Sequence, residues 1–505
     1  MRPRLRDEAT FDRDAGGYNR LVPLINRVLD EQPCDDIAAY TATGGGYALG
    51  AARKVPPANV LEALSRSGLR GRGGAGFPTA TKWSSVMANA SSTQRTPVVI
   101  NGAEGEPSTF KDRTILRNNP FRVLEGGLIA CTVLGASEMI ICLKASFDQE
   151  WKRMTGAVEA MRESDWLHGV TVRFVAGPSA YLFGEETALL EVVDNRQPFP
   201  RVTPPWRRGV DDGDPDDGAP AHAQLATPHG ASAAPVLVNN VETFANVALI
   251  VRNGPDWFRE VGTADSPGTI VCTVVGDVVR SGVGEFPMGT PLREVIEVLG
   301  GGALPERRIV AVLPGASSAV IADARFDVAL THEGFRKAGS ALGSAGFFCI
   351  DDSFDPLVAA HGAARFLAIE SCGQCTPCKD DGLALSVLLG GLIDGSAPED
   401  AAAEISDRLL TVTNEARCNL ATQQQVVVGS LVARCGDLTA TRPVVPADVA
   451  DAARRRLLVP LLDIVEGTAV FDEHEAEKQP DWTFDPVDSG TYPAQRLQNV
   501  PASAT

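Results

Sequence analysis

Four short apolar runs, separated by segments of helical pattern, constrain the fold between residues 97 and 250. The runs are bounded by Gly, Pro or polar residues and are PVVI (97–100), EMIICLK (138–144), VTVRFV (170–175) and PVLV (235–238). Segments 121–134 and 185–193 carry helical patterns and lie between these runs. Strands that alternate with helices are typical of an α/β sheet with parallel strand pairs. We therefore predict an α/β domain over residues 61–265, after an N-terminal segment at 1–60.

Three further units are predicted after this domain. Residues 268–335 combine β-branched runs and glycine turns with one short helical stretch, which predicts a small β-grasp-like domain. Residues 350–440 place apolar residues at helical spacing, which predicts a C-terminal helical bundle. Residues 441–505 form a C-terminal extension. Within the α/β domain, the Asp-, Gly-, Pro- and Ala-rich stretch 207–234 predicts an exposed, flexible acidic loop.

The charge balance excludes one class of partner. The 505 residues include 46 Lys and Arg against 64 Asp and Glu, a formal net charge of -18. Such a chain repels the phosphate backbone, so we expect no nucleic acid as a partner. The sequence has no uninterrupted apolar run of about 18 residues and no apolar signal segment at its start. We therefore expect a cytoplasmic protein without direct membrane insertion, peripheral to a membrane only through a complex.

Three of the ten cysteines are closely spaced, in the stretch ESCGQCTPC (370–378). Cysteines kept reduced in the cytoplasm are expected to serve as metal ligands or core thiols rather than to form disulfides. A C-x-x-C-x-x-C turn can hold three corners of a cubane cluster, and the fourth ligand comes from elsewhere. Cys418 is the favoured fourth ligand and Cys435 is its rival. Structural zinc sites favour two C-x-x-C pairs, so [4Fe-4S] is favoured over zinc and over no metal.

The stretch SGLRGRGGAGFP (67–78) contains the pattern G-x-G-x-x-G. In a Rossmann fold this pattern follows a strand and opens a helix, with an acidic residue about 20 residues further on. Here a helical pattern precedes the glycines, Pro78 follows them, and no acidic residue lies at that distance. A cradle for a phosphate-bearing ligand is favoured over a Rossmann site and over a purely structural turn. Three nearby residues supply positive charge: Arg70, Arg72 and Lys82.

Five stretches occur in one fixed order along the chain. They are SGLRGRGGAGFPTATKW (67–83), NGAEGEPSTFKDR (101–113), AYLFGEETALL (180–190), VNNVETFANV (238–247) and ESCGQCTPC (370–378). This order resembles the NADH-binding flavoprotein family, the 51 kDa-type or F subunits of respiratory complex I. The same family includes diaphorase subunits of NAD-linked hydrogenases and formate dehydrogenases. The resemblance covers about residues 40–440, including the family's soluble-ligand-binding β-grasp domain, and implies an NADH dehydrogenase.

The resemblance also implies cofactors and the residues that hold them. FMN would be bound by residues of the glycine loop and of three later motifs: Gly71, Arg72, Gly73, Gly74, Gly76, Lys82, Asn101, Gly184, Glu185, Asn239, Asn240 and Thr243. NAD(H) would stack on the flavin beside candidate catalytic or nucleotide-binding carboxylates, which are Glu104, Glu106 and Glu186. Aromatic side chains would flank the adenine, at Phe77 and Trp206. A [4Fe-4S] cluster would be held by Cys372, Cys375, Cys378 and Cys418.

The chain departs from the family pattern near the expected nicotinamide nucleotide. Ala103 replaces the family's aspartate, Thr203 replaces its lysine, and 207–234 replaces a short connector. Two functions therefore stay open. One is a diaphorase subunit that passes electrons between NAD(P)H, FMN and the cluster, with NADP(H) not excluded. The other is an electron-relay or scaffold subunit whose nucleotide site is degenerate. In the resemblance, the partners are a small thioredoxin-like [2Fe-2S] subunit and a larger iron–sulfur or catalytic redox subunit.

Overall fold

The first sheet is built from the four apolar runs. The computed structural model describes residues 24–90, 95–202, 204, 205, 209, 235–353, 355–438, 459–476 and 478. The strands are β1 (Val98–Gly102), β2 (Glu138–Lys144), β3 (Thr171–Gly177) and β4 (Leu237–Asn240). They pair in parallel in the order β3-β2-β1-β4, which confirms the α/β character predicted for this region. The carboxyl ends of β1 and β4 therefore lie side by side.

Ten helices surround this sheet. They are α1 (Ile37–Ala42), α2 (Tyr47–Ala52), α3 (Pro57–Ser67), α4 (Thr79–Asn89), α5 (Lys111–Asn118), α6 (Pro120–Leu134), α7 (Asp148–Glu163), α8 (Glu186–Val193), α9 (Val241–Asn253) and α10 (Pro255–Arg259). A 3-10 turn, Tyr181–Gly184, precedes α8. Helix α6 begins at a proline capped by the Asn119 side chain and ends before Gly135, whose φ is 67°. Nearly all of its residues are buried, so α6 lies at the centre of the core.

A second, mixed sheet follows. Its strands are β5 (Thr269–Gly276), β6 (Gly282–Pro287), β7 (Ile309–Leu313), β8 (Ile321–Ala322) and β9 (Gly346–Asp351), in the order β6-β5-β9-β7-β8. The β5–β9 pair is parallel and the other pairs are antiparallel. The helical pieces are α11 (Leu292–Val295), a π-helical turn (Ile296–Gly300), a 3-10 turn (Asp323–Arg325) and α12 (His332–Lys337). Four strands lie within the predicted stretch 268–335, and the central strand β9 lies beyond it.

The last two parts of the described chain are a helical unit and a hairpin. The helical unit contains α13 (Pro356–Glu370), α14 (Thr376–Asp394), α15 (Ala401–Thr411), α16 (Leu420–Gln423), a π-helical turn (Gln424–Val428) and α17 (Gly429–Val432). The hairpin contains β10 (Leu461–Val465), β11 (Thr468–Phe471) and a 3-10 turn (Glu473–Ala476). In the ranges that the structure describes, no helix has the length and apolar character needed to span a bilayer.

The hairpin contacts both sheet units and the helical unit. Arg113 on α5 donates to the carbonyl of Leu461 at 2.6 Å. The N–H of Ser281 donates to the carbonyl of Gly467 at 2.6 Å. Arg365 on α13 donates to the carbonyl of Glu475 at 3.0 Å. The C-terminal extension is thus part of the packed structure between residues 459 and 476. The predicted acidic loop at 207–234, apart from Gly209, lies outside the described residues.

Close packing of α6 against α9 gives a test of the fold. A Cβ atom added at Gly126 would lie 2.6 Å from the carbonyl carbon of Phe244, which is rigid backbone. We expect Gly126→Ala to lower the free energy of unfolding by about 1–3 kcal/mol, because overpacking forces the two helices apart. The measurement is the urea midpoint followed by circular dichroism.

Gly156 on α7 is the matched control, since a Cβ added there meets nothing within 4 Å. Gly156→Ala should raise the free energy of unfolding by about 0.5–1 kcal/mol through helix propensity. Equal effects of the two substitutions would contradict the close α6–α9 contact.

Candidate functional site

The glycine loop connects two helices. Helix α3 ends at Ser67, and α4 begins at Thr79 directly after the loop. The loop closes on itself, because the Gly71 N–H donates to the carbonyl of Phe77 at 2.8 Å. Gly74 and Gly76 have φ values of 125° and 62°, which L side chains rarely adopt. No strand enters the loop, so its structure differs from a Rossmann turn, as the sequence predicted.

The loop is held between the two sheet units. A Cβ on Gly73 would lie 3.2 Å from Cβ of Asn240, at the end of β4. On the other side, a Cβ on Gly76 would lie 2.6 Å from Nε2 of His332 on α12. His332 is buried, its Nε2 has no hydrogen-bond partner among the described residues, and sequence reasoning missed it. Burial, helped by the Arg70 and Arg72 charges, lowers the pKa of His332 to about 4.

Arg72 directs its charge into the protein rather than out of the loop. Its guanidinium Nε donates to the carbonyl of Thr269 at 3.1 Å and lies 4.0 Å from the carboxylate of Glu242. Its backbone N–H donates to Oγ1 of Thr243 at 2.9 Å. Thr243 and Arg72 are both buried. The two predicted site residues are therefore together, and they fix the loop rather than present free polar groups.

Buried charges connect the loop to the start of α5. Lys111 is 1% exposed, and its Nζ lies 2.6 Å from Oδ1 of Asp112 and 3.1 Å from Oε2 of Glu242. Asn240 caps α9 through the Glu242 N–H and donates to Oδ2 of Asp112 at 2.6 Å. Burial alone would lower the pKa of Lys111, but Asp112 and Glu242 raise it above its ordinary value. Lys111 is therefore charged inside the core.

The two candidate catalytic carboxylates differ in environment. Glu104 is buried, accepts from the Asp112 N–H at 3.0 Å, and pairs with Nε of Arg113 at 3.0 Å. Glu106 lies where the two sheet units meet. It accepts from the Tyr181 hydroxyl at 2.7 Å and from the Ala316 N–H at 2.6 Å. Burial raises the pKa of Glu106, although these hydrogen bonds act in the opposite direction.

The ends of β1 and β4 meet the turn before α8. Asn101 at the end of β1 donates to the carbonyl of Gly184 at 3.0 Å. Asn239 on β4 accepts from the indole N–H of Trp83 at 2.8 Å. Lys82 on α4 contacts the carboxylate of Glu186 and donates to the carbonyl of Val238 at 3.0 Å. Four motifs that are far apart in sequence therefore converge at one edge of the first sheet.

Two other predicted residues have different outcomes. Glu185 caps α8 by accepting from the Ala188 N–H at 2.8 Å, and burial raises its pKa. Phe77 is 45% exposed at the outer side of the loop. Trp206, the second predicted adenine contact, and Thr203 lie outside the described residues.

Four cysteines line one pocket of about 300 Å³. Cys372 follows α13, Cys375 caps α14, Cys378 lies in the first turn of α14, and Cys418 precedes α16. The rest of the lining is mostly apolar and includes Leu182. Among the described residues, no three Cys, His, Asp or Glu side chains converge enough to hold a single metal ion. Four sulfurs around a pocket suit a multi-atom cluster better than one zinc ion.

Cys435, the rival fourth ligand, does not line this pocket. Its Sγ lies 3.4 Å from the carbonyl of Leu431. Polar groups that sequence reasoning missed surround the cysteine sulfurs instead. Nε2 of Gln374 lies 3.4 Å from Sγ of Cys372, and Oγ of Ser371 lies 3.5 Å from Sγ of Cys378. Ser371 and Gln374 are part of the cysteine motif, but nothing in their spacing indicated these contacts.

Comparison with protein families identifies two modules in the chain. Residues 64–249 match the Nuo51 FMN-binding domain, and residues 358–440 match the NADH-ubiquinone oxidoreductase-F iron–sulfur binding region. The fold and the two sites therefore define an iron–sulfur flavoprotein, with FMN at the glycine loop and a [4Fe-4S] cluster in the cysteine region. The residues fit both groups: glycine backbone can approach a phosphate closely, and four thiols surround one pocket.

Individual relatives agree with this class. An NADH-quinone oxidoreductase F subunit of Rhizobium meliloti, the second of that name, is 37% identical over 368 residues, 71% of this chain and 82% of the relative. The NADP-reducing hydrogenase subunit HndC of Solidesulfovibrio fructosivorans is 34% identical over 360 residues, 70% of this chain and 68% of the relative. A crystal structure of an NAD+-reducing [NiFe]-hydrogenase aligns with a TM-score of 0.69 at 29% identity, over 84% of this chain and 71% of that one.

The chain belongs to the family of NADH-quinone oxidoreductase F subunits. It is an NADH dehydrogenase-type oxidoreductase that passes electrons between NAD(P)H, FMN and a [4Fe-4S] cluster. The resemblance given by the five motifs is confirmed.

His332 gives a pH-dependent test of the contact beneath the glycine loop. Its pKa is about 4 in the folded protein and about 6.5 when unfolded, so the unfolded state binds the extra proton. Stability is therefore present above pH 6.5 and is lost as the pH falls towards 4. Between pH 7 and pH 5 we expect the native protein to lose about 1–2 kcal/mol more than His332→Phe. The measurement is the urea midpoint of both proteins at each pH, and parallel curves would contradict the buried neutral imidazole.

Proposed function

We propose that this chain is the NAD(P)H-oxidising subunit of a larger redox complex and delivers electrons to a partner iron–sulfur subunit. One observation supports it above others: Tyr181 joins the two sites. Its hydroxyl donates to Glu106 at 2.7 Å, and its backbone N–H donates to Glu370 at 2.7 Å, just before the cysteine motif. FMN accepts two electrons as hydride and releases them singly, which is the conversion that a one-electron cluster requires.

In this proposal, the converging motifs bind the flavin. The glycine loop approaches the ligand with backbone N–H groups, and Lys82 supplies the nearby positive charge. The amides of Asn101, Asn239 and Asn240 offer both donors and acceptors at the edge of the first sheet.

Glu106 is the better candidate for direct contact with the nicotinamide nucleotide. It lies at the junction of the sheets and is oriented by Tyr181 and Ala316. A carboxylate there orients the carboxamide or ribose and favours the oxidised, positively charged ring. Glu104 holds the start of α5 through Arg113 and the Asp112 N–H, so we assign it a positioning role.

The proposal extends to units and partners. We assign the mixed sheet to the family's β-grasp domain, between the flavin domain and the helical cluster domain. The expected partners are a small thioredoxin-like [2Fe-2S] subunit and a larger iron–sulfur or catalytic redox subunit. The names of several relatives describe subunits of larger enzymes, which supports this expectation. We further propose a cytoplasmic location, without direct membrane insertion and without nucleic-acid binding.

Nucleotide oxidation is tested by anaerobic titration of the purified holoprotein. NADH should bleach the flavin absorbance, and a parallel titration with NADPH decides the nucleotide preference. Ala103 and Thr203 favour a second candidate, an electron-relay subunit with a degenerate nucleotide site, because neither can make the polar contacts of Asp or Lys. Bleaching by dithionite but by neither nucleotide would reject the first function and support the second.

The fourth cluster ligand has its own test. Cys418→Ser should remove the [4Fe-4S] signal from the electron paramagnetic resonance (EPR) spectrum of the reduced protein, because Cys418 lines the pocket. Bound FMN and NADH:ferricyanide activity should remain, since that activity needs only the flavin.

Cys435→Ser is the matched control, because its sulfur lies outside the pocket. Its EPR signal should match that of the native protein. Loss of the signal in Cys435→Ser alone would assign the fourth ligand to Cys435 instead.

A further inference from the structure

We propose that Gln424 raises the reduction potential of the iron–sulfur cluster by donating an N–H···S hydrogen bond to Cys378. Nε2 of Gln424 lies 3.6 Å from Sγ of Cys378 and 3.3 Å from the carbonyl oxygen of the same residue. The side chain is 1% exposed, so water does not compete for these contacts. The inference rests on the proposed ligation of the cluster by Cys378.

The chemistry of the contact fixes the orientation of the amide. Both groups that Gln424 faces on Cys378 are acceptors, and only the NH2 end of a glutamine amide can donate. Rotating the amide by 180° would place Oε1 against a sulfur and a carbonyl oxygen. In the present orientation Oε1 has no hydrogen-bond partner within the part of the chain that the structure describes. Gln424 therefore keeps its donors on Cys378 and leaves its own acceptor unpaired, which is unusual for a buried amide.

The surrounding backbone makes room for this side chain. A Cβ on Gly382, one turn along α14 from Cys378, would lie 2.7 Å from Nε2 of Gln424. Gln424 is also the first residue of the π-helical turn Gln424–Val428. Single π-helical turns inside helical segments are rare and frequently occur at functional sites. Two backbone features thus converge on the placement of one amide.

Gln424 differs from the other donors to the cysteine sulfurs. Ser371 and Gln374 are neighbours of the cysteines in sequence, and Gln374 is only half-buried. Gln424 reaches Cys378 from a different helical segment, 46 residues away. Its hydrogen bond therefore depends on how the segment after Cys418 packs against α14.

A hydrogen bond to a ligand sulfur favours the reduced cluster, because reduction adds negative charge to the iron–sulfur unit. Removing the donor should therefore make the reduction potential more negative. The same change should not affect FMN, since Gln424 contacts the cysteine motif rather than the flavin site.

The test compares Gln424→Met with Gln425→Met in the complete protein. Methionine keeps the length of the side chain and removes the donors. Gln425 lies in the same π-helical turn but donates to the carbonyl of Leu409 at 2.7 Å, so it is the matched control. EPR-monitored redox titration should show about a tenfold fall in the equilibrium constant for cluster reduction in Gln424→Met, or about 59 mV for one electron. Gln425→Met should match the native protein.

Equal potentials in Gln424→Met and native protein, or equal shifts in the two variants, would overturn the inference alone. If Gln424→Met fails to retain a cluster, the native protein decides. Pulsed EPR of the reduced native protein, labelled with 15N-glutamine and exchanged into D2O, should detect one glutamine nitrogen and its deuteron near the cluster. A native spectrum without that coupling would reject the hydrogen bond. A native protein without any cluster signal would reject the proposed function itself.

Discussion

The neutralisation of Lys111 is the interaction on which the flavin site depends. Its ammonium is almost completely buried, and it is balanced by Asp112 and Glu242. Glu242 also accepts from the Val271 N–H of β5 at 2.9 Å and lies 4.0 Å from Arg72 in the glycine loop. One set of charges thus holds the loop, the start of α5 and the second sheet. Removing one member of a buried pair leaves an uncompensated charge, at a cost of about 3–5 kcal/mol.

The sequence predicted the parts of the fold that have local signals. Strand β2 has the predicted bounds, because an unbroken apolar run between turn residues is a strong signal. The glycine loop and the cysteine turn were found because each occupies a few consecutive residues. The favoured fourth cysteine, Cys418, lines the pocket, although only the resemblance and its position after Cys378 indicated it.

What the sequence could not predict is the direction and pairing of particular side chains. Arg72 was expected beside a ligand, yet its guanidinium points towards Thr269 and Glu242. His332 and Gln424 have no motif around them, and their roles follow from contacts with segments far away in sequence. Such contacts depend on how three units pack together, and neither hydrophobic period nor residue spacing encodes that packing. The same limit applies to Tyr181, whose partners Glu106 and Glu370 are on different units.

The hairpin after residue 459 has a consequence for how this chain can be rearranged. Its backbone carbonyls are bound by Arg113 of the flavin unit and Arg365 of the helical unit, and by the N–H of Ser281 in the mixed-sheet unit. These contacts use main-chain atoms of the hairpin but side chains of two of the units it touches. A chimera that exchanges the helical unit for that of a relative would therefore keep the fastening only if the incoming helix carries an arginine at the equivalent place. Because of the extension, three units that are separate in sequence must be inherited together.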